Sequence, residues 1–125
     1  MAENTTTRRT NLKGNDMKTT ILTGSEKQIA WATQIRADEM TGVDEVCTLY
    51  YIGRDLCKRG YVDAQMAELG LATAEDAAAF VAKVRSMTID LLDAKTSSKW
   101  WIENGVSASL KMRNQVLDTL APKIA

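Results

Sequence analysis

The sequence predicts an all-α protein, a compact bundle of about four main helices plus short helical turns, with a flexible N-terminal arm. Apolar residues recur at intervals of three and four over most of the chain, the spacing of one face of an α-helix. Ser, Thr and Asp residues precede several of these periodic segments, where such residues cap helices. Alternating β-branched runs, which would indicate strands, are absent.

The composition changes near residue 20, and we expect two regions. Residues 1–20 are rich in Thr, Asn, Lys and Arg, with only isolated apolar side chains such as Leu12 and Met17. A segment of this kind cannot bury enough apolar surface to offset the entropy lost on ordering. We therefore predict a flexible polar arm over 1–20 and a single helical domain over 21–125.

The first helix is predicted to run from residue 26 to about residue 40. Ser25 is a good N-cap, and Gln28 three positions later completes a capping box. Isolated apolar residues then follow helical spacing, with Trp31 beside them. Thr41-Gly42 is the predicted stop.

The second helix is predicted over residues 43–59. Lys58-Arg59-Gly60 is a typical C-terminal signal, and Gly53 inside the helix indicates a bend or a close approach of another helix. A broad apolar face is predicted from Val43, Val46, Cys47, Leu49, Tyr50 and Leu56.

Four further helical segments follow. A short helix is predicted over 63–69, and the longest helix begins after the Thr73 cap and ends near Lys95. A short helical turn occupies 96–103 and closes at Asn104-Gly105. The last amphipathic helix, over 106–120, uses Val106 and Leu110 on its apolar face and cannot continue past Pro122.

Charge and hydropathy limit the classes of partner. The 16 basic and 16 acidic side chains cancel, so the molecule as a whole lacks the positive charge of a general nucleic-acid binder. Residues 1–24 and 99–125 each carry a net +2, which leaves −4 for the centre. No apolar run reaches the roughly 20 residues that span a membrane. We expect a soluble protein of the bacterial cytoplasm, without membrane contact.

The residue types argue against catalysis and metal binding. Histidine is absent, and two cysteines alone cannot complete a zinc site. Cys47 and Cys57 lie about 15 Å apart if one helix carries both, too far for a disulfide, so we expect buried free thiols. The acidic pairs Asp44-Glu45 and Glu75-Asp76 lie at predicted helix starts, where capping is the ordinary role. We predict no catalytic residue, metal or cofactor.

Two segments carry a resemblance. Residues 22–36, Leu22-Thr23-Gly24-Ser25-Glu26-Lys27-Gln28-Ile29-Ala30-Trp31-Ala32-Thr33-Gln34-Ile35-Arg36, resemble the opening segment of small uncharacterised proteins from bacteria, phages and other mobile elements. Residues 98–103, Ser98-Lys99-Trp100-Trp101-Ile102-Glu103, resemble a second segment of those proteins, with Glu where Asp is usual and Asn104-Gly105 where Asn-Arg is commoner. The resemblance implies a mobile-element setting and carries no activity with it.

The adjacent tryptophans form the first candidate binding site. Neighbouring helical residues are rotated by about 100°, so Trp100 and Trp101 cannot both face one core. One should pack inward, against Trp31 among others, and the other should be at least partly exposed. An exposed Trp beside Lys99 suits a binding anchor. A Trp lying flat over a helix end is the alternative.

The second candidate site is a face with aromatic and basic residues. Tyr51, Arg54 and Lys58 share helical spacing, with Tyr50, Arg59 and Tyr61 nearby. Aromatic rings between cations suit contact with nucleic acid, although an ordinary solvated face has the same composition.

These observations predict a non-enzymatic protein-binding module of phage or mobile-element origin. Inhibition of a host defence factor, such as a CRISPR effector, is one form of this hypothesis. A small nucleic-acid-binding protein using the basic and aromatic face is the alternative. The candidate partner-binding residues are Tyr51, Arg54, Lys58, Arg59, Lys99, Trp100 and Trp101. The sequence leaves the oligomeric state open.

Overall fold

The computed structural model describes residues 21–124, and over this range it contains six helices and no strand. The helices are α1 (Glu26–Val46), α2 (Leu49–Lys58), α3 (Asp63–Glu68), α4 (Ala74–Asp93), α5 (Ser98–Asn104) and α6 (Ala108–Leu120). The predicted all-α bundle is confirmed. The predicted arm over 1–20 lies outside the described residues.

Three helices form the centre of the bundle. α1, α4 and α6 each pack on the other two, α5 packs on α1, and α2 packs on α4. Burial of large apolar side chains between these helices is the main driving force for such a fold. The largest fully buried apolar side chains are Val43, Ile52, Leu56, Val84, Leu92, Trp101, Val116 and Leu117.

The helix starts follow the predicted caps. The Gln28 N–H donates to Ser25 Oγ at 3.2 Å, and the Ser25 N–H donates back to Gln28 Oε1 at 3.1 Å, which confirms the capping box. The predicted cap Thr73 accepts the Asp76 N–H at the start of α4. Ser97, which was not predicted as a cap, plays the same role at the start of α5. Each hydroxyl accepts one of the N–H groups that a helix start leaves without a partner within the helix.

The predicted boundary between the first two helices is wrong. α1 continues through Thr41-Gly42 to Val46, and a Cβ on Gly42 would lie 3.3 Å from Ser109 Oγ. Gly42 thus allows α6 to approach closely, and this packing offsets the roughly 1 kcal/mol that a helical glycine costs. The true break lies at Cys47 and Thr48, where the Thr48 hydroxyl accepts the Tyr51 N–H at 3.2 Å.

The break changes which side chains face the core. Because α2 starts a new helical register at its own cap, Leu49 and Tyr50 are exposed and do not belong to the predicted apolar face. Asp44 lies in the last turn of α1, not at a helix start, and pairs with Arg85 of α4 at 2.6 Å. The predicted close approach at Gly53 is also absent, since nothing lies within 4 Å of a Cβ built there.

The turn before α6 departs from the prediction as well. Ser107 adopts the left-handed conformation, with φ 62°, and α6 begins only at Ala108. This geometry leaves Val106 outside the helix and largely exposed, and Leu110 also remains exposed. Pro122 follows the end of α6, as expected.

The two segments that carry the resemblance meet in the fold. The Thr23 N–H donates to the Thr96 carbonyl at 2.8 Å, and the Ser98 N–H donates to the Thr23 carbonyl at 2.9 Å, a short parallel bridge. Gly24, with φ 139°, would bring any Cβ to 3.1 Å from that of Ser98. The start of α1 and the start of α5 are therefore joined by backbone as well as by side-chain packing.

Candidate partner-binding surface

α2 has one buried side and one exposed side. Ile52 and Leu56 are fully buried on the side that packs on α4. The exposed side chains of α2 include Leu49, Tyr50, Tyr51, Arg54 and Lys58, and we refer to these five as the α2 surface; Cys57 is exposed as well. The surface is therefore held on a regular helix that the core fixes in place.

The aromatic end of the α2 surface is an ordered pair of rings. The ring centroids of Tyr50 and Tyr51 lie 5.1 Å apart in an edge-to-face arrangement. The Arg54 guanidinium carbon lies 4.9 Å from the centroid of the Tyr51 ring, within cation–π range. Tyr50 is nevertheless 71% exposed and Leu49 is 51% exposed. The fold thus arranges these groups without burying them.

The cationic end of the α2 surface is only weakly neutralised. Arg54 Nε lies 3.9 Å from Asp55 Oδ1, and the other oxygen of Asp55 pairs with the buried Arg113. Lys58 forms no ion pair with any described residue. Two cations are therefore available for a carboxylate or phosphate of a partner.

Arg59, which we predicted to belong to this site, has a structural role. Its side chain is 12% exposed and pairs with Asp118 at 2.8 Å. It also donates to the carbonyl oxygens of Asn114, in the middle of α6, and of Ala121, just after the helix ends. Tyr61 is likewise buried, and its hydroxyl donates to the Pro122 carbonyl at 2.8 Å. Both side chains fasten the C-terminal residues to the bundle and are not available to a partner.

The tryptophan site separates into three different environments. Trp101 is fully buried and donates from Nε1 to the Lys95 carbonyl at 2.8 Å, which confirms that one of the pair faces inward. Trp100 is half-buried against Trp101, and Lys95 Nζ lies 5.2 Å from the centroid of its ring. Trp31 is 60% exposed, so its predicted inward packing is wrong.

Lys99 is the exposed member of the tryptophan site. Its ammonium group lies 3.9 Å from Glu103 Oε2, one turn along α5, and both side chains are exposed. An exposed pair of this kind contributes little to stability. Because Trp101 is buried and Trp100 is half-buried, α5 offers a partner less aromatic surface than α2 does.

Leu49 is the residue of the α2 surface that the sequence interpretation missed. We predicted that it lay on the buried face of a continuous helix over 43–59. The signal that would have found it is Thr48, since a hydroxyl residue one position before a helix can act as its N-cap. A helix that begins at this cap has a new register, which places Leu49 and Tyr50 on the exposed side.

A buried polar cluster lies beneath the α2 surface. Arg113 is 1% exposed; it donates to the Val46 carbonyl at 2.8 Å and to Asn114 Oδ1 at 2.8 Å, and it pairs with Asp55. Its burial lowers the pKa of the guanidinium, which stays protonated near neutral pH. This arginine joins the end of α1, α2 and α6, and its role is structural.

The two cysteines lie in different environments on either side of the helix break. Cys47 is buried, and its Sγ lies 3.9 Å from Thr88 Oγ1. Burial raises the pKa of the Cys47 thiol, and the Thr88 contact and Arg113 oppose that shift only in part. Cys57 is exposed, so the prediction of two buried thiols is wrong for this residue.

Comparisons with known proteins do not assign a family. No family model matches the chain, and no curated protein and no solved structure matches it. Within residues 21–124, no cluster of three or more Cys, Asp or Glu side chains is placed to hold a metal ion. Over the same residues, no helix combines the length and apolar character needed to cross a membrane.

Proposed function

We propose that this protein is a non-enzymatic protein-binding module whose contact site is the α2 surface. The observation that carries the proposal is the ordered but exposed group of Leu49, Tyr50, Tyr51 and Arg54. Tyr and Arg are enriched at the residues that contribute most to binding energy in protein interfaces. Ordering these rings before binding also lowers the entropy lost on association.

The resemblance over residues 22–36 and 98–103 adds a setting to this proposal. A small protein of phage or mobile-element origin could act by occupying a host protein, and a host defence factor such as a CRISPR effector is one such target. A rigid helical face without catalytic side chains suits inhibition by occupation. The cytoplasm of a bacterial host is the compartment in which such a contact would occur.

Site-specific photo-crosslinking tests the proposal. A photoreactive phenylalanine analogue replaces Tyr50 in one variant and Ala82, an exposed residue of α4, in a matched control. The Tyr50 variant should form an adduct with a discrete protein in a host lysate, whereas the Ala82 variant should not. The unlabelled wild-type chain should compete with this adduct, and the Tyr50→Ala chain should compete less. Equal adducts from both positions, or none, would contradict the proposal.

Nucleic-acid binding remains the alternative function, and the stacking of Arg54 on Tyr51 is the observation that favours it. Burial of Arg59 reduces the cations on this face to Arg54 and Lys58. Two phosphate contacts predict that affinity falls only roughly tenfold between 50 and 200 mM salt, against 10³-fold or more for a site with six or more contacts. Fluorescence anisotropy with single- and double-stranded DNA and RNA measures this dependence.

A further inference from the structure

We infer that the partner of the α2 surface is an acidic amphipathic protein segment. Its apolar side chain would pack on Tyr50 and Leu49, and its carboxylates would pair with Arg54 and Lys58. This inference rests on the proposed function and names the chemistry of the partner.

The apolar end of the α2 surface requires an apolar group opposite it. Leu49 and Tyr50 both lie in the first turn of α2, and both remain more than half exposed. Tyr50 already contacts Tyr51 edge to face, so its orientation is set before binding. Covering these two side chains with an apolar group removes apolar area from water, which favours association.

The cationic end requires negative charge. Arg54 stacks on Tyr51 and shares its nearest carboxylate, Asp55, with the buried Arg113. Lys58 lies one turn further along and has no described partner. Carboxylates brought to these two groups would form charge-assisted hydrogen bonds, which are roughly twice as strong as neutral ones. Charge complementarity therefore favours an acidic partner.

The separation of the two ends sets the pattern of the partner. Lys58 lies seven positions after Tyr51 and eight after Tyr50, which corresponds to about 10–12 Å at a rise of 1.5 Å per residue. A partner helix lying along α2 would place an apolar residue and a carboxylate about seven positions apart, with a second carboxylate one turn away. Both ends of the α2 surface are then engaged by one face of one helix.

Two other occupants match the surface less well. A second copy of the chain related by two-fold symmetry presents the same patch, which contains two cations and no carboxylate among its five residues. A nucleic acid would match Arg54 and Lys58 but would leave Leu49 without an apolar partner. The acidic amphipathic segment is the occupant that satisfies both ends.

Selection from a displayed library of random peptides tests the inference. Peptides of roughly 16 residues are long enough to form a helix on binding. Selection on the full chain, after removal of peptides that bind the Tyr50→Ala chain, should enrich Asp or Glu about seven positions from an aromatic or aliphatic residue. A pool whose charge stays neutral or becomes basic would overturn the inference.

A charge-reversed chain provides the matched control. Arg54→Glu combined with Lys58→Glu should lower the affinity for an enriched acidic peptide by at least about tenfold. Selection on this variant should enrich peptides that contain Lys and Arg instead. Circular dichroism checks that the variant remains helical. Unchanged affinity for the acidic peptide in the folded variant also counts against the inference.

The outcomes distinguish this inference from the proposed function. Selective crosslinking at Tyr50 together with a neutral peptide pool would retain the binding surface and reject the acidic partner. Absence of selective crosslinking would reject the surface itself. A dimer that forms with rising protein concentration and is abolished by Tyr50→Ala would identify a second copy as the occupant. A change in the anisotropy of a labelled nucleic acid that is lost with Arg54→Glu would identify nucleic acid as the occupant. Either result would overturn the inference.

Discussion

Glu39 of α1 caps the N-terminus of α6 through Ser109. The backbone N–H of Ser109 donates to Glu39 Oε1 at 2.9 Å, and the Ser109 hydroxyl donates to the same oxygen at 3.1 Å. Ser107, at the N-cap position, makes no side-chain capping hydrogen bond. A carboxylate from another helix thus satisfies an unpaired donor of α6 and places negative charge near the positive end of its dipole.

We expect Glu39→Ala to destabilise the protein by about 1–2 kcal/mol, because the cap is lost and a partly buried N–H is left without its acceptor. Glu39→Gln should lower the free energy of unfolding by less, since an amide oxygen still accepts the hydrogen bond. Urea denaturation at neutral pH, followed by circular dichroism, measures both values. Asp38→Ala is the control, because exposed Asp38 accepts only from Gln34 within its own helix. Equal losses at positions 38 and 39 would refute the capping role.

The sequence predicted those features that depend on neighbouring residues. The caps at Ser25 and Thr73 each use a hydroxyl and a backbone N–H three residues later, so a short stretch of sequence contains all the information. The repeated apolar spacing likewise predicted α4 from the Thr73 cap to near Lys95. Both kinds of signal are local, and both were confirmed.

Most of the features that were missed depend on residues distant in sequence. Gly42 reads as a helix stop until the position of Ser109 is known, and Arg59 reads as a surface cation until Asp118 lies beside it. Arg113 is the clearest case, since no local pattern indicates that a guanidinium will be buried in the bundle. In the candidate site, the sequence predicted exposed positions for Tyr51, Arg54 and Lys58 but not for Leu49, whose exposure follows from the local cap at Thr48.

Two glycines should respond in opposite directions to alanine. A Cβ on Gly105 would collide with Ile35 Cγ2 and with the Trp101 carbonyl oxygen, so we expect Gly105→Ala to cost about 1–3 kcal/mol. A Cβ on Gly53 meets nothing within 4 Å, so Gly53→Ala should stabilise α2 by about 0.5–1 kcal/mol. Midpoints of thermal unfolding compare the two variants directly. A stabilised Gly105→Ala chain would show that α1 and α5 leave room for a Cβ between Gly105 and Ile35.

The buried ion pair between Arg113 and Asp55 should be strongly coupled. Asp55→Ala leaves the guanidinium of a 1% exposed residue without its counter-charge, and we expect a loss of about 3 kcal/mol. Replacing Arg113 with Met in the same chain should recover part of that loss, because the uncompensated charge is removed. A double-mutant cycle from urea denaturation gives the coupling energy. Additive effects would mean that the two groups stabilise the fold independently.

The tryptophans should differ in their contribution to stability. Trp101→Ala removes a fully buried ring and its hydrogen bond to Lys95, and we expect a loss of about 3–5 kcal/mol. Trp101→Phe, which keeps most of the apolar contact, remains testable if the alanine variant does not fold. Trp31→Ala should change stability by less than about 0.5 kcal/mol, because that ring is largely exposed. A large loss at Trp31 would contradict its exposed position.

The thiols should differ in reactivity and in their effect on pH dependence. Exposed Cys57 should react at once with a chromogenic disulfide reagent, whereas Cys47 should react only on unfolding, so the native Cys57→Ser chain should show almost no fast reaction.

Because burial raises the pKa of Cys47, the unfolded chain releases this proton at a lower pH than the folded chain does. The contribution of Cys47 to stability is therefore complete below about pH 8.5 and decreases as the pH rises above it. Cys47→Ala should remove this component from the alkaline fall in stability, and an unchanged pH profile in that variant would show that the thiol does not cause it.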